Sequence, residues 1–130
     1  MKPSEYIKKG SEYEHQVALF MMCAMNLNKY PELKWYYCIQ NEEKSNSAMM
    51  GARSKAAGKK AGVPDTHLPV KRGPYSSLYI ELKKLKGKGV GPSKEQVEFG
   101  EFAMKQGHMW ACCYGWEDAF ACLEWYLNLT

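Results

Sequence analysis

The sequence predicts one mixed α/β domain spanning residues 1–130, in which a central mixed sheet carries helices in the order α-β-α-β-β-α-β-α. Three observations point there. Segments with apolar residues at helical spacing alternate with short runs rich in aromatic and β-branched residues. Glycine and proline punctuate the boundaries between them. No repeat and no long linker divides the 130 residues, a length suited to a single core.

The first helix is expected from Ser11 to about Lys29, where Val17, Leu19, Phe20, Met21, Cys23, Ala24, Met25 and Leu27 cover most of its surface. Ser11 and Glu14 have capping-box spacing, and Pro31 ends the element. Trp35 to Ile39 is aromatic, β-branched and short, as a strand should be. Asn41 to Ser47 is a polar loop. Ala48 to Lys60 is a helix with a basic face and Gly62 as its stop. Two strands, Thr66 to Val70 and Leu78 to Leu82, form a hairpin through a turn holding Gly73 and Pro74. Lys83 to Pro92, with three glycines and four lysines, is a surface loop. Ser93 opens a helix that Gly107 stops, again with capping-box spacing to Gln96. Met109 to Tyr114 is a buried strand and Trp116 to Leu127 a closing amphipathic helix.

Charge is unevenly placed. From Lys44 to Lys94 there are twelve Lys or Arg and only two acids, Asp65 and Glu81, a local +10 within a chain of net +4. Such a segment suits a polyanion, nucleic acid above all. No apolar stretch is long enough to span a membrane and the N-terminus lacks the apolar run of a secretion signal, so a cytoplasmic protein is expected. Five cysteines without a Cys-x-x-Cys pair read as reduced thiols, with Cys112 and Cys113 on opposite faces of their strand.

The two acids of the basic segment are where chemistry concentrates. Side chains alternate along a strand, so Glu81 and Lys83 share one face, and Asp65 at the mouth of the paired strand can lie beside them. Two carboxylates held together require neutralisation, which a divalent cation bound by oxygen ligands supplies. Metal and ammonium together suit phosphodiester cleavage, where charge builds on phosphoryl oxygens. Nucleotide-loop and zinc-deaminase patterns are missing. His67, two residues past Asp65, reads as a packed or phosphate-facing histidine rather than a general base.

Pro64-Asp65 followed by Glu81-Leu82-Lys83 resembles the PD-(D/E)xK nuclease signature. Gly62-Val63-Pro64-Asp65, Tyr79-Ile80-Glu81-Leu82-Lys83-Lys84, the glycine-lysine loop, Ser93-x-x-Gln96 and Gly107 narrow the resemblance to the VRR-NUC (virus-type replication-repair nuclease) branch, in its stand-alone phage-like form, over about residues 11 to 128. The resemblance implies a restriction-endonuclease-like core and a Mg²⁺- or Mn²⁺-dependent endonuclease acting on DNA. It implies a site of Glu14, Asp65, Glu81, Lys83 and Gln96, with the metal on Asp65, Glu81, the Leu82 carbonyl and Glu14, directly or through water. Lys83 would orient the attacking water, and Gln96 would hold Lys83 or that water. Glu14 and Gln96 are equally explained as capping residues, and one side chain is not expected to cap and serve the site at once. DNA contacts are expected from Arg53, Lys55, Lys59, Lys60, Lys86 and Lys88. A homodimer selective for branched DNA, four-way junctions above all, follows from one metal site per small chain. The other class of function is a non-catalytic nucleic-acid-binding module with a structural acidic pair.

Overall fold

The computed structural model describes residues 1–39, 48–85 and 90–130. A short helix α1, Pro3–Tyr6, precedes the elements expected from periodicity. Helix α2, Glu12–Met25, begins on Ser11, whose hydroxyl accepts the Glu14 N–H at 3.1 Å while the Glu14 carboxylate returns to the Ser11 N–H. It ends earlier than Lys29 because Asn26 turns its side-chain amide back onto the Met22 carbonyl at 2.8 Å, competing with the backbone ladder. Residues Pro31–Trp35 then form a 3-10 turn, leaving only Tyr37–Cys38 as strand β1. Aromatic content alone does not separate a strand from a tight turn opened by proline.

Helix α3, Ala48–Ala56, is shorter than expected, because Gly58 takes a left-handed φ of 101° and leaves the helical path. Strand β2, Thr66–Leu68, stops at Pro69, which has no N–H for the ladder. Strand β3, Leu78–Lys83, takes Lys83 into the sheet. Helix α4, Lys94–Lys105, strand β4, Met109–Tyr114, and helix α5, Trp116–Leu127, lie where their patterns put them. The expected loop over Asn41 to Ser47 lies outside the described residues, as does the middle of the glycine-lysine loop.

The sheet runs β1-β2-β3-β4, with the first two pairings antiparallel and β3 to β4 parallel, α4 forming the crossover. On one face α2 and α5 close the main core around Leu19, Leu68, Leu78, Ile80, Leu82, Leu123 and Tyr126, all essentially inaccessible to water. Each such side chain contributes about 2 kcal/mol by leaving water. Beneath it a buried polar chain joins three strands' worth of backbone: the Tyr36 hydroxyl donates to Thr66 Oγ1 at 2.6 Å, and Thr66 donates to the Ile80 carbonyl at 3.2 Å. Cys113 enters this core while Cys112 faces the other side, as strand alternation requires, and all five thiols are free. No helix among the described residues is long and apolar enough to cross a membrane.

The opposite face belongs to α4. Gly100 lies so close to the Trp110 indole that any Cβ would sit 2.5 Å from it. The Gly62 loop meets the first turn of the same helix, at a φ of 89°, and a Cβ there would collide with the Glu95 carbonyl. Gly62 therefore sets the distance between the Asp65 loop and α4, rather than stopping α3. Gly62→Ala adds backbone strain to this collision and should destabilise the fold by about 1–3 kcal/mol, read as a lowered midpoint in chemical denaturation.

A second fixed point joins α2 to α5. Gly115 lets the chain turn, and the buried His15 Nδ1 accepts the Trp116 N–H at 3.0 Å, satisfying an otherwise unpaired donor at the start of α5. Burial holds the His15 imidazole below its usual range, against the opposing pull of Glu14 and Glu117. The unfolded chain binds the proton more readily, so this contribution is present above the ordinary imidazole pKa and is lost as pH falls through it. The stability gap between wild type and His15→Gln should shrink from about pH 8 to about pH 5 in denaturant titrations; a constant gap would remove His15 from this role.

Candidate active site

The registers of the three left-hand strands place two rungs of side chains on the α4 face of the sheet. Tyr37 stands opposite His67, which stands opposite Tyr79, itself beside Trp110 of β4. One step along, Asp65 immediately precedes β2 and lies beside Glu81, and Glu81 is paired with Cys112. The antiparallel ladder continues to Asp65, whose carbonyl accepts the Ile39 N–H at 2.7 Å.

Asp65, just before β2, is fixed by the neighbouring strand β3. Its Oδ2 accepts the Leu82 N–H at 2.7 Å, taking the place of the ladder bond that β2 no longer offers. In a strand the N–H and carbonyl of one residue point to the same side, so the Leu82 carbonyl is turned toward Asp65 as well. Glu81, only 3% exposed, extends from the middle of the central strand into the space beneath α4. Its Oε2 accepts the Gln96 side-chain amide at 2.9 Å and lies 3.8 Å from Lys83 Nζ. Its Oε1 is buried without any hydrogen-bond partner.

Burial, and then the neighbouring Asp65 carboxylate, push the Glu81 carboxyl up to about 8, against a smaller opposing effect of Lys83. Oxygen donors converge here: an unpartnered Glu81 Oε1, the Asp65 carboxylate and the Leu82 carbonyl. A hard divalent cation fits such a donor set, because it satisfies the orphaned oxygen and compensates the paired carboxylates.

The structure brings Asp65, Glu81, Lys83 and Gln96 together. Gln96 also corrects the expectation that capping excludes a role at the site. Its Oε1 accepts the Ser93 N–H at 2.8 Å while its Nε2 donates to Glu81, because an amide has an acceptor end and a donor end. The capping box thereby aims Gln96 at the carboxylate.

Glu14 is placed differently. Its Oε1 gathers the N–H groups of Lys9, Gly10 and Ser11 at 2.9, 2.7 and 3.3 Å, and no hydrogen bond among the described residues joins it to Glu81. Although desolvation works in the other direction, these backbone donors hold its carboxyl below the usual range. The α2 carboxylate whose charge acts on Glu81 is Glu12. The expectation named only Glu14 on this helix; Glu12, exposed in the same first turn, is the other carboxylate there.

Of the expected DNA contacts, Arg53 and Lys55 are exposed on α3, and Lys59 and Lys60 are exposed in the segment leading to Gly62 and Asp65. Lys86 and Lys88 lie outside the described residues. His67 is packed as expected, between Tyr37 and Ser77 and stacked on Tyr79 with ring centroids 4.4 Å apart.

No protein-family model matches the sequence, and no curated protein matches it. A solved structure described as a VRR_NUC domain protein does match the fold, with a TM-score of 0.78 and 24% identity over 95% of this chain and 93% of that one. The match extends over nearly the whole of both chains. The chain thus has the fold of that VRR_NUC domain protein, a mixed α/β core built on a four-stranded sheet.

Proposed function

We propose that this protein is a metal-dependent endonuclease that hydrolyses DNA phosphodiester bonds. The observation that carries the reading is the buried Glu81 carboxylate, with one oxygen unpartnered, Asp65 at its side and Lys83 at its edge. Asp65, Glu81 and the Leu82 carbonyl would hold Mg²⁺ or Mn²⁺, with a carboxylate at the start of α2 reaching the ion through water. Glu12 suits that part better than Glu14, whose Oε1 is engaged by three backbone donors. The cation, when bound, supplies Lewis-acid stabilisation of the phosphoryl oxygens and acidifies a water.

This chain's own groups do the rest. Lys83, held toward Glu81, presents its ammonium where a water must line up with phosphorus and where charge accumulates on the pentavalent species. Gln96 fixes the Glu81 carboxylate from the α4 side, so that its free oxygen points one way. Attack by water on phosphorus with departure of the 3′ oxygen leaves 5′-phosphate and 3′-hydroxyl ends. Arg53, Lys55, Lys59 and Lys60 would hold the strand through its phosphates, with Lys86 and Lys88 extending that surface. A non-catalytic binding module gains nothing from a buried, incompletely partnered carboxylate, which costs stability.

Cleavage should require a divalent cation and stop in excess EDTA. Lys83→Ala should lower the cleavage rate by at least about a hundred-fold while calorimetry still detects Mn²⁺ binding, because Lys83 gives no electron pair to the ion. Asp65→Ala and Glu81→Ala should lose Mn²⁺ binding too. Equal metal affinity in all three variants would contradict these roles.

Proton linkage gives an independent test. With its pKa raised, Glu81 is largely protonated near neutrality when no cation is beside it, and the cation takes only the carboxylate. Its contribution to stability is present below the ordinary carboxylate range and is lost as pH rises toward about 8; metal restores it. Mn²⁺ binding near pH 7 should thus release a proton, seen as a binding heat that changes with the ionisation enthalpy of the buffer. A buffer-independent heat would refute a protonated Glu81.

Selectivity for four-way junctions is the finer part of the proposal. A single site per chain cuts one strand, so symmetric resolution needs two copies about a two-fold axis. An apolar hollow between α2 and edge strand β1, lined by Val17, Phe20, Met21, Ala24 and Cys38, is suited to such a contact.

A further inference from the structure

Helix α4 covers only half of its face of the sheet. Phe99 lies edge-on over Tyr79 at 5.2 Å, Gln96 reaches Glu81, and Gly100 sits on Trp110, so β3 and β4 are roofed. The same rung continues through the half-buried His67 and ends at Tyr37 on the edge strand, 47% exposed. Tyr36 turns its ring into the core, stacked on Phe20 at 4.8 Å, and its neighbours Trp35 and Tyr37 are both left in solvent, Trp35 at 63% exposure. The Lys34 ammonium lies 5.2 Å from the Trp35 ring centroid.

An exposed tyrosine at a sheet edge ordinarily samples several rotamers, but this one is tethered. Its hydroxyl is 2.8 Å from His67 Nδ1, His67 Nε2 is 3.0 Å from Ser77 Oγ, and Ser77 Oγ is 2.6 Å from His108 Nδ1. One assignment of protons satisfies the whole chain: Tyr37 donates to His67, His67 to the buried Ser77, and Ser77 to His108. The His67 ring stands edge to face with Tyr37, at 88°, and stacks on Tyr79. Four side chains thereby hold one aromatic plane in a fixed orientation at the border of the site.

Tyr37 is two strands and one pleat from Glu81, roughly 12 Å away, a span of a few nucleotides along a DNA strand. A rigid ring with a neighbouring indole and ammonium is suited to a flat, polarisable group on an anionic strand. Bases inside a duplex have both faces covered by their neighbours, so only a base out of the stack offers one.

Building on the nuclease reading above, we propose that Tyr37, extended by Trp35, is a stacking platform for an unpaired nucleobase a few nucleotides from the phosphodiester that is cut. The substrate class is then DNA carrying unpaired nucleotides next to the cleaved bond, in preference to fully paired duplex.

The test measures binding apart from cleavage. Fluorescence anisotropy in EDTA with labelled oligothymidine and with a blunt duplex should show Tyr37→Leu weakening the single-strand complex about ten-fold while duplex affinity moves less than about two-fold. Tyr37→Phe, which keeps the ring and loses the tether, should lie between Tyr37→Leu and wild type. Trp35→Leu disturbs no hydrogen bond of the relay and should weaken single-strand binding on its own if Tyr37→Leu proves unfolded. Unchanged affinity in both leucine variants, or an equal loss on single strand and duplex, overturns the platform. Cleavage by wild type in Mn²⁺ separates the two readings. Tyr37-dependent single-strand binding without any cleavage would reject the nuclease and keep the platform. Cleavage of tailed and blunt DNA that Tyr37→Leu leaves equal to wild type would do the reverse.

Discussion

A carboxylate in the middle of a sheet and closed off from water is the constraint on which the rest of this structure depends. Glu81 stands on β3, an inner strand paired with β2 on one side and along its whole length with β4 on the other, with the main core directly behind it in Ile80 and Leu82. Burying a charge there is unfavourable unless neighbours compensate it. Two neighbours come from elsewhere in the sequence, Asp65 from just before β2 and Gln96 from the first turn of α4, and Lys83 comes from the same strand. Gly62 permits the close approach of the Asp65 loop to α4, so the two groups beside Glu81 are positioned by one backbone contact. Fold and site are consequently not separable here: moving α4 to relieve a clash would also withdraw Gln96.

Much of this was legible because the signals are local. Helix starts at Ser11 and Ser93 announce themselves through capping boxes, and both are made as written. Strand β4 and helix α5 have periods too regular for another element to imitate. What failed to show was where two signals compete. Aromatics after Pro31 fit a strand or a 3-10 turn, and only the packing of Leu33 and Tyr36 into the core decides for the turn. Asn26 ends α2 by a side-chain bond that hydropathy does not register.

The site shows the same division. Alternation along β3 places Glu81 and Lys83 on one face without any knowledge of the fold, and the structure agrees. The partnership of Gln96 with Glu81 requires the crossover to lay α4 across β3, a tertiary fact. The ambiguity over whether Gln96 caps or serves the site came from counting one role per side chain. An amide is bifunctional and a carboxylate is not: Glu14 turns its Oε1 wholly to backbone donors, whereas Gln96 keeps its NH₂ for the carboxylate. The choice of Gln rather than Glu at the third position of α4 therefore has a chemical consequence, since a glutamate there would place a further negative charge against Glu81.

The uneven roof supplied by α4 gives the face its direction. Under the helix Glu81 is buried and Asp65 and Trp110 are half-buried; beyond it the rung of Tyr79 runs out through the half-buried His67 to the exposed Tyr37. On the proposed reading, a strand of DNA entering from the β1 side would meet aromatic surface before charge, while Arg53 and Lys55 on α3 and Lys59 and Lys60 after it lead along the chain to Gly62 and Asp65. Phosphate attraction is long in range and indifferent to sequence or pairing, so it can bring DNA to this face without selecting among its forms. Selection among such forms would have to come from contacts of short range, and the proposed platform, the tethered ring of Tyr37, would be one.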